Sequence, residues 1–440
     1  MPTRMSSAKA TARFLVDKPA SMVDENIRIS VQNLDPFQQV TLVARVKEPN
    51  ADYIAHAHVI ADTHGTVDLS QHASLGGTYQ GTDGMGLLWS MVRSTDSRKG
   101  SRLSKKHVDS PYVVQLAAMN EFIRDITRWS DVTSALCRYQ LQRWYLASDT
   151  ERIKVSTGRL RGTLFVPKST PKTAGVIDLF GSAGGLIELR ASLLASHGYA
   201  VLALAYVMYE DLPKNFSFDL DYFDEAVQFM TSHPRVDGAR GLGVIGVSKG
   251  AEIALHMTSH NPDIKACVSI NGSPFHCFGE HTYRGQLVNV QDFGGNALEK
   301  VIETEEGMIF KHAHVSNRDQ CDTIPVHQAR DANFLIINCT DDESVYGLTA
   351  LETAHLIRKS GNTKCLVKIY PGAGHLLEPP YTPLCRSVYH GVLDHYVAYG
   401  GEARLHAAAQ EDMWRSLLQF FKSTFCVRFT RVGRTPSSHL

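Results

Sequence analysis

Apolar and polar positions fall into two regimes along the chain, and the change comes near residue 146. Before it, short stretches alternate: Ile27-Arg28-Ile29-Ser30-Val31, then 40–46 and 55–61, with turn residues between them at roughly ten-residue spacing. A period of two puts one face on a core and the other in water, and a succession of such strands predicts a β-sandwich. After it, the runs become continuously apolar: 162–166, 175–180, 200–206, 241–247, 266–270, 333–339 and 365–370. Runs of that kind are expected of strands buried on both faces of a parallel sheet. Amphipathic segments at 188–197, 219–232 and 346–360 lie between them and predict helices, hence an open, doubly wound α/β sheet. One connection breaks the rhythm. Residues 272–331 are of mixed polarity and far too many for an ordinary loop, which predicts a cap or lid over about 273–331.

Chemistry enters at Gly246-Val247-Ser248-Lys249-Gly250, where an apolar run ends and a helix opens. A serine on so sharp a strand-to-helix turn has its hydroxyl pushed out of the sheet, and the flanking glycines remove side chains that would collide with the neighbouring strand and helix. This nucleophile elbow predicts acyl transfer through an acyl-serine at Ser248. A serine hydroxyl needs a base, and the base an orienting acid. The run 333–339 is followed by Thr340-Asp341-Asp342-Glu343, and the run 365–370 by Pro371-Gly372-Ala373-Gly374-His375. Acid after a late strand and histidine after the next is the chain order of α/β-hydrolases, so His375 is the expected base. Position alone leaves Asp341 and Asp342 both open as the acid. The oxyanion hole is expected from the backbone N–H of Lys249, directly after the nucleophile, and a second N–H from Ser182 or Ala183 in Gly181-Ser182-Ala183-Gly184-Gly185.

Composition narrows this further. The 440 residues carry a formal net charge of zero, which speaks against a nucleic-acid partner. The eight cysteines are scattered singly and read as thiols in a reducing compartment. No stretch approaches the roughly 20 apolar residues of a membrane span, so no stable membrane insertion is expected. The letters Gly241-x-Gly243-x-x-Gly246 lie before and within a strand, where a dinucleotide fingerprint needs them after it. His56-x-His58 and His312-x-His314 lack a third ligand at metal spacing. Neither cofactor nor metal is therefore expected. The basic, serine-rich stretch 94–106 reads as an exposed loop, with contact to an anionic ligand as the alternative. The chain ends in Ser438-His439-Leu440, close to a Ser-Lys-Leu peroxisomal address, which predicts a peroxisomal import receptor as partner. The alternatives are cytoplasm and, from the basic first residues up to Arg13, mitochondrion.

The motifs are long enough to name a family. Gly175-Val-Ile-Asp-Leu-Phe-Gly-Ser-Ala-Gly-Gly185, Tyr209-Glu-Asp-Leu-Pro-Lys214, Gly246-Val-Ser-Lys-Gly-Ala-Glu252 and Tyr370-Pro-Gly-Ala-Gly-His-Leu-Leu-Glu-Pro-Pro-Tyr381 resemble the type I acyl-CoA thioesterases and the bile acid-CoA:amino acid N-acyltransferase. Leu75-Gly-Gly77, Gly84-Met-Gly-Leu-Leu-Trp89 and the segment from Gly400-Gly-Glu402 through Trp414 extend the likeness over about residues 12–425. The resemblance implies an Ig-like N-terminal β-sandwich (1–145), an α/β-hydrolase domain (146–428) and a C-terminal tail (429–440). It places the acid on the second Asp of the pair, Asp342. It implies hydrolysis of fatty acyl-CoA to free acid and CoA. Two rivals stand beside that reading: N-acyl transfer to an amino acid, for which the resembling transferase uses cysteine where this chain has Ser248, and non-catalytic acyl-CoA binding. Cys339 and Glu343-Ser344 depart from the family pattern around the acid, and 272–331 matches it poorly.

Overall fold

The computed structural model describes residues 10–95, 97–124, 126, 134–288, 299–313 and 323–425. The N-terminal part is a β-sandwich. Its larger sheet has six strands in the order Ala20–Met22, Cys137–Trp144, Tyr112–Met119, Gln39–Glu48, Ala51–Ile60 and Val92–Arg93. The smaller has three, Arg13–Val16, Ile29–Gln32 and Val67–Asp68. Alternation does what the sequence pattern requires of it: Ile29, Val31, Leu42, Leu116 and Leu141 all point into one core.

The second sheet carries the site. Its eight strands are β1 Thr150–Val155, β2 Arg161–Pro167, β3 Gly175–Leu179, β4 Ala200–Ala205, β5 Leu242–Val247, β6 Ile264–Ile270, β7 Asn333–Cys339 and β8 Cys365–Tyr370. They lie side by side as β1-β2-β4-β3-β5-β6-β7-β8. Strands β3 to β8 run parallel, while β1 and β2 form an antiparallel entrance. Five helices flank it: α1 Leu189–Ser196, α2 Asp221–Ser232, α3 Lys249–His260, α4 Thr349–Lys359 and α5 Ala403–Phe425. Side chains of α1 and α5 share a core with Val176, Ile245 and Leu335 on one face of the sheet. Those of α2, α3 and α4 share another with Ile177, Val244 and Phe334 on the opposite face. Adjacent residues of one strand thus serve two cores, which is why these strands read as continuous apolar runs. Strand β1 lacks such a run because four of its six side chains are not buried, so hydrophobicity alone does not reveal it.

The sandwich is tied to both helices of the nearer face through one side chain. Asp24 Oδ2 lies 2.5 Å from His197 Nε2 at the end of α1 and accepts from Trp414 Nε1 of α5 at 2.9 Å.

Above the carboxyl ends of β3 to β8 lies a cover with two parts. One is the described portion of 272–331, which contains the hairpin His281–Tyr283 and Gln286–Val288 and the short pair Ile302–Glu303 and Met308–Ile309. The other is a hairpin of Ser387–His390 and His395–Ala398, which joins the second pair in a four-stranded sheet. The sequence pattern gives no warning of this second hairpin, because its strands are only four residues long and mix apolar with polar residues. Among the described residues no helix is long and apolar enough to cross a membrane. The six described cysteines are free thiols. The terminal Ser438-His439-Leu440, the basic first nine residues and His314 lie outside the described residues.

Candidate active site

Ser248 stands between β5 and α3 with φ 57° and ψ −124°, a conformation a residue with a side chain adopts only when its surroundings enforce it. Its own N–H donates to Ile270 O at 2.9 Å, while its carbonyl accepts from Ala251 N–H and so begins α3. The two glycines make this closeness possible. A methyl group on Gly246 would overlap the Gly250 carbonyl, and one on Gly250 would overlap the Phe180 carbonyl. The Lys249 N–H belongs to the first helical turn, where no intrahelical acceptor exists.

The loop after β3 closes on the same point. A methyl on Gly181 would come within 3.2 Å of the Ser248 Cβ. Ser182 lines the cavity in front of Ser248, and its Oγ lies 3.0 Å from His390 Nε2 of the covering hairpin. Ala183 does not line that cavity. Of the two residues the sequence offered for the second oxyanion donor, the structure brings Ser182 to the site.

His375 is held by its backbone from both sides. Its N–H donates to Tyr399 O at 2.8 Å, and its carbonyl accepts from Asn271 Nδ2 at 2.7 Å. The Gly374 N–H donates to His406 Nδ1 at 3.1 Å, and there is no space for a side chain on Gly374 beside the Gly400 carbonyl. The imidazole Nδ1 lies 2.7 Å from Asp342 Oδ2. Asp342 is buried, and its other oxygen accepts from the N–H groups of Ser344 (2.7 Å) and Val345 (2.9 Å). A buried carboxylate so satisfied stays where it is and fixes the tautomer that leaves Nε2 with its lone pair.

The three adjacent carboxylates are thereby sorted. Asp341 turns away from the histidine and accepts from Gly401 N–H at 2.9 Å, while Glu343 pairs with Lys311 of the cover at 2.8 Å. Ser248, Lys249, Ser182 and His375 line one small cavity of about 60 Å³, walled by Phe216, Phe278, Phe310 and Tyr399. That is well below the roughly 300 Å³ of a pocket that encloses a whole organic ligand. Phe278 and Phe310 come from the cover, so the wall over the serine is partly cap.

Behind the elbow lies a buried polar cluster that sequence reasoning missed. The Lys249 ammonium donates to Glu252 Oε1 at 2.6 Å, to His281 Nε2 at 2.8 Å and to the Cys277 carbonyl. Glu252 also accepts from Cys277 N–H at 3.0 Å and lies 3.1 Å from His276 Nδ1. Burial pushes the Glu252 carboxyl up against the opposing pull of Lys249. Burial first, and then the Lys249 charge, push His281 down to about 3, so it is the neutral acceptor. Glu252, His276 and His281 hold donor atoms within 4.8 Å of one another, and among the described residues they form the one such trio. The lysine ammonium already supplies the cation there. The i, i+3 spacing of Lys249 and Glu252 was the available signal for half of this cluster. Its partners 276–281 lie in the stretch where pattern gave nothing. His390, buried and pushed down to about 4 by that burial, had no local signal among twenty histidines.

Strand order, elbow, and the carboxylate and imidazole at the ends of β7 and β8 together define an α/β-hydrolase. The family model for the BAAT/acyl-CoA thioester hydrolase C-terminal region matches residues 218–426, and that for the corresponding N-terminal region matches 24–157. Human acyl-coenzyme A thioesterase 1 is 38% identical over 415 residues, which is 93% of this chain and 96% of that protein. Human mitochondrial acyl-coenzyme A thioesterase 2 is 37% identical, covering 96% of this chain and 85% of that one. Mouse bile acid-CoA:amino acid N-acyltransferase is 38% identical, covering 92% and 95%. The chain belongs to this family of acyl-CoA thioesterases and N-acyltransferases.

Proposed function

We propose that this chain hydrolyses acyl-CoA to the free acid and CoA. The observation that carries the reading is the 2.7 Å contact of His375 with buried Asp342, in a cavity His375 shares with the elbow serine Ser248. Ser248 Oγ attacks the thioester carbonyl as His375 Nε2 takes its proton. The oxyanion is held by the N–H groups of Lys249 and Ser182. His375 returns the proton to the departing thiolate of CoA, then draws a proton from water, which attacks the acyl-serine, and passes it to the departing Ser248 Oγ as the acid is released. Asp342 orients the imidazole and balances its transient charge. A thiol is a better leaving group than an amine, so this set is sufficient.

A second reading, transfer of the acyl group to glycine or taurine, is favoured by the equal likeness to the mouse transferase. One experiment separates them: thiol release from a panel of medium, long and dicarboxylic acyl-CoAs, with and without amino acid, for wild type and Ser248→Ala. Free acid as product, with release abolished in Ser248→Ala, establishes hydrolysis. Release only when an amino acid is present makes the chain a transferase. No release under any condition leaves binding without catalysis.

The proposal extends to layout and address. Residues 1–145, 146–428 (with 273–331 as cap) and 429–440 are taken as sandwich, catalytic domain and tail, with the last three residues as the peroxisomal signal. Deleting 438–440 from a tagged chain is expected to move it from peroxisomes to cytosol, and an unmoved signal refutes the address.

A further inference from the structure

The basic stretch 94–106 and the covering hairpin meet around a second cavity of about 390 Å³, between sandwich and hydrolase sheet. Its lining includes Arg93, Lys99, Ser101, Arg386, Glu305 and Glu306. Arg386 already holds Glu306 at 2.9 and 3.1 Å. Arg93 and Lys99 are exposed, and neither has a carboxylate partner among the described residues. Two exposed cations without a carboxylate partner in one cavity suit an anion rich in acceptor oxygens.

This cavity shares a wall with the catalytic one. Arg386 and Ser387 face it at the start of the strand that ends in His390, and His390, Leu393 and Val397 line the catalytic cavity. The basic stretch packs directly on that hairpin: a methyl on Gly100 would overlap the Tyr396 ring, and the Lys99 ammonium lies 5.0 Å from the centre of that ring. Ser387 to His390 spans roughly 10 Å at strand rise. The pantetheine arm, which separates the thioester sulfur from the diphosphate, reaches roughly 15 Å when extended.

We propose that this cavity is the binding site for the phosphorylated nucleotide end of CoA, with Arg93 and Lys99 as ligands of its phosphates. The inference rests on the reading of the chain as acting on acyl-CoA. Glu305 stands on the same wall as a repelling charge, which gives the test a sign that mere disturbance of the fold does not produce.

The test measures binding of adenosine 3′,5′-bisphosphate by calorimetry to the full chain carrying Ser248→Ala, so that catalysis is not needed. Arg93→Glu and Lys99→Glu are each expected to weaken binding about tenfold, and Glu305→Gln to strengthen it. Raised salt is expected to weaken it as well. In the active chain, the ratio of kcat/KM for acyl-CoA to that for the acyl-pantetheine thioester falls about tenfold in the same two variants. Affinity indifferent to all three substitutions overturns the site, as does an unchanged ratio. Inorganic phosphate binding as tightly as the bisphosphate overturns the nucleotide assignment. A chain that hydrolyses neither thioester but shows the expected binding pattern retains the site and loses the proposed activity.

Discussion

The floor and the roof of the catalytic cavity are built by different means. The floor leans on backbone: Ser248 and His375 donate main-chain N–H bonds to Ile270 and Tyr399, the His375 carbonyl accepts from the Asn271 amide, and the Asp342 carboxylate accepts from the N–H groups of Ser344 and Val345. The roof is side chain: Phe278 and Phe310 rest on the cavity, and the Lys249–Glu252–His281 cluster fastens the cover to the elbow helix. Each floor segment has a main-chain group in its anchoring bonds, which substitution leaves in place, whereas the cluster depends on one ammonium. The contrast teaches that reacting atoms are placed independently of what encloses them, so damage to each should separate in experiment.

The largest effect belongs to the floor. Asp342→Asn is expected to lower kcat by about 10³- to 10⁴-fold with the fold intact, because the amide no longer holds the imidazole in its productive tautomer. Its neighbour sharpens the point: Asp341→Asn turns the charge-assisted bond from Gly401 N–H into a neutral one, about 1 kcal/mol of stability, with kcat within about threefold. Steady-state kinetics and denaturation of both variants check this, and equal losses of kcat would refute the assignment.

Next comes the fastening of the roof. Lys249→Met leaves Glu252 buried without its cation, and is expected to cost about 3 kcal/mol. Amide exchange should quicken in the cover at 276–288 before it does in the strands. Uniform quickening would mean that the cluster supports the whole fold instead.

The same cluster makes the roof sensitive to acid. His281 titrates at about 3 in the folded chain, against roughly 6.5 when unfolded. The unfolded chain therefore binds the extra proton first as pH falls. Stability from this group is complete above about pH 6.5 and is lost towards pH 3, at about 1.4 kcal/mol per pH unit. His390 and His406, both pushed down to about 4, act in the same direction. Denaturation free energies between pH 7.5 and 5 should show a shallower slope for His281→Gln than for wild type, and parallel slopes would refute the contribution.

The smallest effect concerns the contact between floor and roof. His390→Phe removes the partner of the Ser182 hydroxyl, with an expected loss of about tenfold in kcat. His390→Gln should recover part of it, while KM changes little. A change confined to KM would place His390 in substrate binding.

Legibility from sequence followed the same division. Strand β7, buried over most of its length, and strand β8, only partly buried but apolar at most positions, are both flanked by turn residues and were read with their observed bounds. The elbow and the histidine loop stood out because glycine is forced wherever backbones approach that closely. The choice between Asp341 and Asp342 was not local: it depends on where the loop meets Tyr399 and Gly401, and only the family resemblance indicated it. Strand β1 stayed hidden because an edge strand keeps polar side chains, and the hairpin of Ser387–Ala398 because its partner is about 90 residues away in the cover. The Lys249 cluster joins two segments whose proximity no period in the sequence encodes.

The bond between Asp24 and Trp414 spans 390 residues. At a synthesis rate of roughly 5–20 residues per second, the carboxylate waits roughly 20–80 s for the indole to be made. The sandwich is thus complete in sequence long before its last contact exists. A premature stop between His197 and Trp414 releases a chain in which this carboxylate keeps the imidazole and lacks the indole.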